Sequence, residues 1–159
     1  MNAPAVSDQK TYWVQVFNEN TWREFLDFGG RVTGFRQTRW RYIQQVKMGD
    51  VLLCYMSRHS KWVGILEVDS APYLDLTPIW KEDLFPCRAE VKVIAALPIG
   101  DAIPIRVFKD QLSIFHAKNW SLYFINSPSK WKREDAVIVE AAILRASGSS
   151  SSPSPDVRP

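Results

Sequence analysis

The sequence has few of the residues on which metal centres and disulfide frameworks depend. It contains two cysteines, Cys54 and Cys87, no Cys-x-x-Cys pair, and two histidines that stand far from any ligand spacing. A zinc site needs a larger and more closely spaced ligand set. Cys54 lies inside the apolar run VLLCYM, which favours a buried thiol. We therefore expect no metal or other cofactor, and a reduced, cytoplasmic protein.

Long apolar runs are also missing. No stretch approaches the roughly 20 apolar residues that a membrane span requires. The N-terminal sequence MNAPAVSDQK lacks the apolar core of a signal peptide. The sequence therefore predicts no membrane partner.

The familiar catalytic signatures are absent as well: there is no GxSxG, HExxH, P-loop or GxGxxG motif. His59 lies in the polar segment SRHSK, where a solvated side chain is expected. Four carboxylates fall in a loop-rich stretch that is typical of solvated or capping acids: Asp69, Asp75, Glu82 and Asp83. The sequence therefore predicts a protein that is not an enzyme.

What the chain does have is an ordinary globular composition. Its 159 residues are 46% hydrophobic and suffice for one domain with a buried core. The net charge of +3 permits an anionic partner without requiring one. Residues 1–10 are polar and residues 147–159 are a Ser/Pro-rich tail, so both ends are expected to be disordered. The folded domain is then residues 11–146.

The pattern of the domain predicts an α+β fold. The segments TYWVQVF, VLLCYM, WVGILEV and RAEVKVIA read as strands, and in the last of them alternation points Arg88 toward water. Asn20 is the expected N-cap of a short helix, TWREFLDF. A short helix is expected within residues 105–114, a strand or irregular segment at NWSLYFI, and a final helix at about 132–145. We expect a small, curved, mostly antiparallel sheet.

Seven tryptophans are many for a domain of this size. Trp22 follows the polar segment FNEN, Trp62 follows SRHSK, and Trp120 follows Asn119. A pocket that reads a base needs this combination of an aromatic plate with amides or hydroxyls. Core packing is the alternative for any one of these side chains.

Basic residues cluster between the first helix and the strand VLLCYM. They could contact phosphates, and the alternative is an ordinary solvated loop. The predicted phosphate contacts are Arg31, Arg36, Arg39 and Arg41.

Three segments together resemble EVE domains. They are TRWRYIQQVKMGDVLLCYMSRHSKWVGILEVDSAPYLD, LFPCRAEVKVIAALPIGDAIPI and NSPSKWKREDAVIV, and the resemblance extends over about residues 12–146. EVE domains belong to the PUA-like superfamily, with YTH and ASCH domains. The resemblance therefore implies a PUA-like pseudo-barrel with short helices and a C-terminal helix. It also implies a pocket for a modified base, with methylated or hydroxymethylated cytosine in DNA as the leading candidate. YTH relatives read a methylated adenine in RNA through an aromatic cage.

Roles carried over from the resemblance fall on a few positions. Trp62 opens the strand that borders the pocket, Ser57 lies in the loop beside it, and Asn18 and Trp22 follow the first strand, where YTH relatives place base-reading residues. The predicted base pocket is Asn18, Trp22, Tyr55, Ser57, Trp62 and Trp120.

The function implied is that of a non-catalytic reader of nucleic acid. EVE domains are often fused to nucleases or other effectors, so we expect a separate effector protein as a partner. One alternative is a hydrolase of modified nucleosides, as among ASCH relatives, which would need a positioned Lys or Glu. Strand alternation puts Glu67 opposite Trp62 and thus outside such a pocket. The other alternative is a protein-interaction module with a flat aromatic patch.

Overall fold

The structure, a computed structural model, describes residues 9–151. Its strands are Tyr12–Phe17 (β1), Val32–Phe35 (β2), Val51–Met56 (β3), Lys61–Val68 (β4), Tyr73–Leu74 (β5), Cys87–Ala96 (β6), Ile103–Pro104 (β7) and Ser129–Trp131 (β8). Its α-helices are Glu19–Asp27 (α1), Trp40–Ile43 (α2) and Arg133–Ser151 (α3). Short 3-10 turns lie at Gln37–Arg39, Ile99–Asp101, Ile105–Phe108, Ser113–His116 and Trp120–Phe124. Within residues 9–151, no helix combines the length and the apolar character that crossing a bilayer requires.

The strands form one curled sheet in the order β2-β6-β4-β3-β1-β8, with β5 on β6 and β7 on β4. β1 pairs with β3 in parallel and the other pairs are antiparallel. The curl brings β1 close to β2, although three strands lie between them in the order. The buried side chain of Gln15 bridges them: its Nε2 donates to the Gly34 carbonyl (3.2 Å), and its Oε1 accepts from the Thr33 hydroxyl (2.8 Å). The predicted α+β fold with a curved sheet is confirmed.

Both faces of the central strands are buried, which explains their unbroken apolar sequences. In β1, Tyr12 and Val14 enter one core, which includes residues of α3, and Trp13 and Phe17 enter a second core. Cys54 belongs to the second core, as predicted, and burial raises the pKa of its thiol well above the usual range.

A β-bulge in β4 changes which way its side chains point. The pairing passes from Cys54 opposite Gly64 to Tyr55 opposite Trp62, so that β4 has one extra residue. Trp62 consequently packs into the first core, whereas Leu66 packs into the second. Simple alternation along β4, which would put Trp62 on the face of Leu66 and opposite Glu67, is therefore wrong. Alternation after the bulge puts Glu67 on the Trp62 side, and not opposite it.

Helix α1 begins earlier than expected, because Asn18 and not Asn20 is its N-cap. The Asn18 Oδ1 accepts from the backbone N–H of Thr21 (2.8 Å), and the Thr21 hydroxyl accepts from the backbone N–H of Asn18 (2.9 Å). This reciprocal pair is a capping box, which requires the two polar residues to stand three apart. Strand β2 and the turn that follows it, which the sequence indicated only as a basic segment, are additional elements.

The C-terminal third also differs from expectation in detail. The predicted helix within 105–114 is two 3-10 turns, and NWSLYFI forms another. The predicted final helix is confirmed as α3, but it continues through residues 147–151, the start of the predicted tail. The expected disorder of residues 1–8 and 152–159 falls outside the described part of the chain.

Candidate functional site

A cavity of about 510 Å³ opens where β1, β2 and β3 end. Its walls come from those strand ends, from the loop that precedes β6, and from the segment that precedes β8. The lining residues are Val16, Phe17, Asn18, Thr21, Gly34, Phe35, Arg36, Thr38, Arg39, Ser57, Glu82, Phe85, Ile125, Asn126 and Ser127.

The sheet itself brings these residues together. Because β1 and β3 are parallel, their carboxyl ends lie side by side, with Phe17 opposite Met56. Ser57 is held there by bonds from its N–H (2.8 Å) and its hydroxyl (3.3 Å) to the Phe17 carbonyl. The Gln15 bridge places Gly34 of β2 on the opposite wall.

One polar wall of the cavity is built from Asn18 and Glu82. The Asn18 Nδ2 donates to the Glu82 Oε1 (2.8 Å), while the Asn18 Oδ1 is engaged in capping α1. Asn18 therefore offers a ligand its second amide N–H, since an amide nitrogen carries two donors. Glu82 is exposed, so its carboxylate has acceptor capacity left for a ligand.

The aromatic lining consists of phenylalanines. Phe17 and Phe35 are 4% and 3% exposed, so they present little surface to the cavity. Phe85 is half-buried and has a positive φ of 46°, which costs energy in a non-glycine residue. The guanidinium carbon of Arg36 lies 6.0 Å from the centre of the Phe85 ring. Ile125, 64% exposed, adds an aliphatic side chain at the mouth.

A buried arginine fixes the loop that carries Glu82 and Phe85. Arg88 is fully buried, and its guanidinium donates to the carbonyls of Phe85 (3.1 Å), Leu84 (3.0 Å) and Thr77. It also lies over the Trp80 ring, 5.5 Å from the ring centre. The expectation that Arg88 points to water is wrong, because these carbonyls replace water as its acceptors.

The same loop packs closely on β2 at Gly34. A Cβ at Gly34 would lie 2.7 Å from the Phe85 carbonyl oxygen and 2.8 Å from the Trp80 ring. A larger residue at this position would push the loop away from the cavity, and glycine is therefore required by close approach.

Arg36 and Arg39 are the predicted phosphate-contact residues that line the cavity. Arg39 is held in place by donating to the carbonyls of Pro128 (2.8 Å) and Ser127 (3.3 Å). Its guanidinium carbon lies 4.2 Å from the centre of the Tyr42 ring. Arg31, which precedes β2 at its far end, and Arg41 on α2 are exposed and are not among the lining residues.

Comparison with known proteins identifies the family. The family model described as EVE domain matches residues 11–130. The chain belongs to the EVE domain family. The UPF0310 protein PH1033 of Pyrococcus horikoshii is 28% identical over 149 residues, covering 84% of this chain and 99% of that protein. The UPF0310 protein SSO2595 of Saccharolobus solfataricus is 28% identical over 152 residues, covering 84% and 95%.

Solved structures share the fold of this EVE domain. Protein Atu2648 from Agrobacterium tumefaciens superimposes with a TM-score of 0.59 at 19% identity, covering 83% of this chain and 92% of that one. The YTH domain-containing protein mmi1, solved in a complex with RNA, gives a TM-score of 0.65 at 10% identity, covering 90% and 87%. The predicted membership of the EVE domain family is confirmed, and the fold is one that YTH domains share.

The aromatic residues predicted for the base pocket of this EVE domain lie in or against its cores. Trp22, 4% exposed, stacks on Phe25 with ring centres 5.4 Å apart. Its ring also lies against Gly64, where an added Cβ would be 2.9 Å from it. The backbone at Gly64 thus makes room for Trp22.

Trp62 is fully buried, with the rings of Tyr55, Trp131 and Phe124 at 5.2, 5.5 and 5.8 Å. Tyr55 is itself buried, which raises its pKa above the usual value. Trp120 is half-buried and packs on Phe115, 4.7 Å away.

Of the six residues predicted for the base pocket, the cavity of the EVE domain contains two, Asn18 and Ser57. Sequence reasoning did not find Glu82, Phe85 or Asn126, which come from loops without a recognisable motif. One available signal was the glycine at position 34 within a β-branched and aromatic segment, since glycine in a strand often marks close backbone approach.

His59 is exposed at the surface and has a partner there. Its Nε2 lies 2.9 Å from the Glu19 Oε1. The hydrogen bond with His59, helped by one from Arg23, lowers the pKa of the Glu19 carboxyl. Within the described residues, no group of three or more His, Cys, Asp or Glu side chains could hold a metal ion.

Proposed function

We propose that this EVE domain is a non-catalytic reader that binds nucleic acid and holds one modified base in the cavity described above. Methylated or hydroxymethylated cytosine in DNA is the leading candidate. The observation that carries the proposal is the joint presence of a carboxylate, an amide, phenylalanine side chains and two arginines around one cavity of about 510 Å³. This volume falls within the range of about 300–1,000 Å³ that is typical of small-ligand sites.

The polar wall favours a base that presents an amino group. Glutamate is a natural acceptor for the amino group of cytosine, and the free N–H of Asn18 suits a neighbouring acceptor on the same base edge. Thymine or uracil would instead turn a carbonyl oxygen toward Glu82, which repels the carboxylate. The pair Asn18 and Glu82 therefore supports cytosine over thymine or uracil.

The apolar lining supports a modest preference for the modified form. A methyl or hydroxymethyl group on the base can be covered by Phe85 and Ile125. Burial of one methylene contributes about 0.8 kcal/mol, which corresponds to roughly fourfold in affinity. We therefore expect the added group to adjust affinity, with stacking and hydrogen bonds supplying most of it.

The arginines suit the backbone of the same strand. Arg36 and Arg39 lie at the cavity wall, where they can contact phosphates that flank an extruded base. The YTH domain of mmi1, which shares this fold, is solved with RNA, and this supports nucleic acid as the partner. Extrusion from a duplex costs a few kcal/mol, so single-stranded or mismatched sites should bind more tightly. The action that follows recognition belongs to a separate nuclease or other effector.

The test is binding at fixed salt to short DNA and RNA strands that differ in one base: cytosine, methylcytosine, hydroxymethylcytosine, thymine or methylated adenine. We expect the modified cytosines to bind most tightly and affinity to fall as salt rises. Glu82→Gln should lose the discrimination against thymine, because the amide can turn to donate to a carbonyl. Asp83→Asn removes a neighbouring exposed acid that does not line the cavity and serves as the matched control.

Asn18 needs a variant that spares α1. Asn18→Ser keeps an oxygen that can cap the helix but removes the amide N–H, so it should weaken base selectivity without unfolding the domain. Binding that is absent at low salt, or equal for all five bases, would contradict the proposal.

One observation favours an enzyme as the second candidate. Glu82 is a carboxylate at the cavity, and a hydrolase of modified nucleosides would need such a group to activate water. Incubation of the protein with modified nucleosides and oligonucleotides, followed by mass spectrometry, separates the two functions. A reader returns them unchanged. Conversion by the native protein that is lost in Glu82→Gln would make the hydrolase the correct assignment.

A further inference from the structure

A second cavity of about 470 Å³ adjoins the first. Arg39 and Asn126 line both cavities and therefore stand where the two meet. The other lining residues of the second cavity are Tyr42, Asn119, Leu122, Tyr123, Ser129 and Lys130. The described residues around it thus include two cations and no acid, which favours an anionic occupant.

The cations of this cavity are held by aromatic faces. Arg39 lies over the Tyr42 ring at 4.2 Å, and the Lys130 Nζ lies 5.6 Å from the centre of the Trp13 ring. Arg39 is fixed further by two hydrogen bonds, in which its Nε donates to the Ser127 carbonyl and its Nη2 donates to the Pro128 carbonyl. Within residues 9–151 no hydrogen bond engages its Nη1, which leaves a donor for a phosphate oxygen. An arginine fixed in this way loses little side-chain freedom when it binds.

The remaining lining has the chemistry of a base platform. Tyr123 and Tyr42 are half-buried residues of the lining, and Leu122, which also lines the cavity, is 51% exposed. The amides of Asn119 and Asn126 are exposed, and no hydrogen bond occupies them within the described chain. Stacking on an aromatic ring tolerates any base, while amides add hydrogen bonds to a base edge.

We propose that the second cavity binds the nucleotide adjacent to the base in the first cavity, with Arg39 on the phosphate that joins the two. The inference rests on the proposed function, since it requires a strand whose base occupies the first cavity. It adds that the protein recognises at least a dinucleotide. Tyr123 and Lys130, which line only the second cavity, then act on the neighbouring nucleotide and not on the modified base.

The test compares ligands of increasing length at fixed salt. The probes are the free nucleoside of methylcytosine, dinucleotides that carry methylcytosine on the 5′ or the 3′ side, and a longer single strand. Stacking of one base corresponds to about 5- to 150-fold in affinity. We therefore expect one of the two dinucleotides to bind at least about fivefold more tightly than the nucleoside.

Substitutions at Tyr123 and Lys130, with matched controls, locate that gain. Tyr123→Leu should abolish the gain in affinity from nucleoside to dinucleotide, while Tyr123→Phe, which keeps the ring, should retain it. Lys130→Ala should lower the dependence of log affinity on log salt for the longer strand by about 0.7. The matched control is Lys109→Ala, which removes an exposed lysine that lines neither cavity. None of these variants should change nucleoside binding.

The possible outcomes are distinguishable. A nucleoside that binds as tightly as either dinucleotide overturns the second site but leaves the proposed function intact. A gain that survives in Tyr123→Leu also overturns it. An acidic peptide can be added as a competitor. The second site is also overturned if that peptide displaces the strand less well from Lys130→Ala than from the native protein, while saturating peptide leaves nucleoside binding unchanged. If neither the nucleoside nor any strand binds at low salt, the proposed function itself fails.

Discussion

Replacement of Arg88 by methionine tests whether a buried cation holds the wall of the cavity. Methionine fills much of the volume of the side chain but donates no hydrogen bond, so three backbone carbonyls lose their donor. A buried acceptor left unpaired costs about 1–3 kcal/mol. Leu84 and Thr77 are exposed and their carbonyls can turn to water, so the lower end applies. The ion pair with Asp75, 3.6 Å away and 40% exposed, adds little.

We therefore expect Arg88→Met to lower the free energy of unfolding by about 3 kcal/mol, measured by urea denaturation. Arg88→Lys keeps the charge but not the planar fork, and should give an intermediate loss. In the folded Arg88→Met variant, the Phe85 carbonyl has no hydrogen bond from Arg88 to help hold the residue at its positive φ. Because Phe85 lines the cavity, oligonucleotide affinity should fall even where the protein remains native. An Arg88→Met protein with unchanged stability and unchanged affinity would refute this account of the loop.

Two further perturbations address other parts of the molecule. Trp62→Ala should cost about 3–5 kcal/mol by urea denaturation, because the side chain is fully buried. Trp62→Phe should cost much less, since the indole N–H that it removes has no hydrogen-bond partner among residues 9–151. A stable Trp62→Ala protein would contradict a core role. In an NMR titration, the pKa of the Glu19 carboxyl should lie below that of an ordinary glutamate, and His59→Gln should raise the pKa of Glu19. The stabilisation linked to this carboxyl is fully present above the pKa that Glu19 has in the unfolded chain, and it is lost as pH falls through the lowered pKa of the folded state. An unchanged Glu19 titration in His59→Gln would count against this pair.

The central strands β1, β3 and β4 could be predicted from the sequence because both of their faces are buried and their apolar composition identifies them. The Gly49-Asp50 pair, which lies in the first of the segments that resemble EVE domains, also has a clear structural role. Asp50 is buried, and its carboxylate accepts from the backbone N–H groups of Thr11 (3.0 Å) and Lys47 (2.9 Å) and from the Trp13 indole (3.0 Å). Such a role is set by local turn geometry together with one neighbouring strand.

The cavity could not be predicted in the same way, because its walls depend on contacts between distant segments. Whether Trp22 is a plate for a ligand or part of the core depends on Gly64 in another strand. Trp62 lies on the same face as Glu67, and not opposite it, because one extra residue in β4 reverses the alternation. No local signal in the sequence marks that residue. Arg88 was assigned to solvent since its acceptors come from a loop whose path the strand pattern does not specify.

The closure of the sheet through Gln15 has a consequence for local opening of the native state. β2 is paired by its backbone only with β6, and among the described strands no backbone ladder joins it to β1. The β1 and β2 walls of the cavity thus belong to different backbone ladders, and the side-chain amide of Gln15 joins them. An occupant that touches Asn18 on one wall and Phe85 on the other supplies a cross-link that the backbone does not. Hydrogen exchange at the β2 edge should therefore slow on binding by more than exchange in β3, whose ladders are complete on both sides.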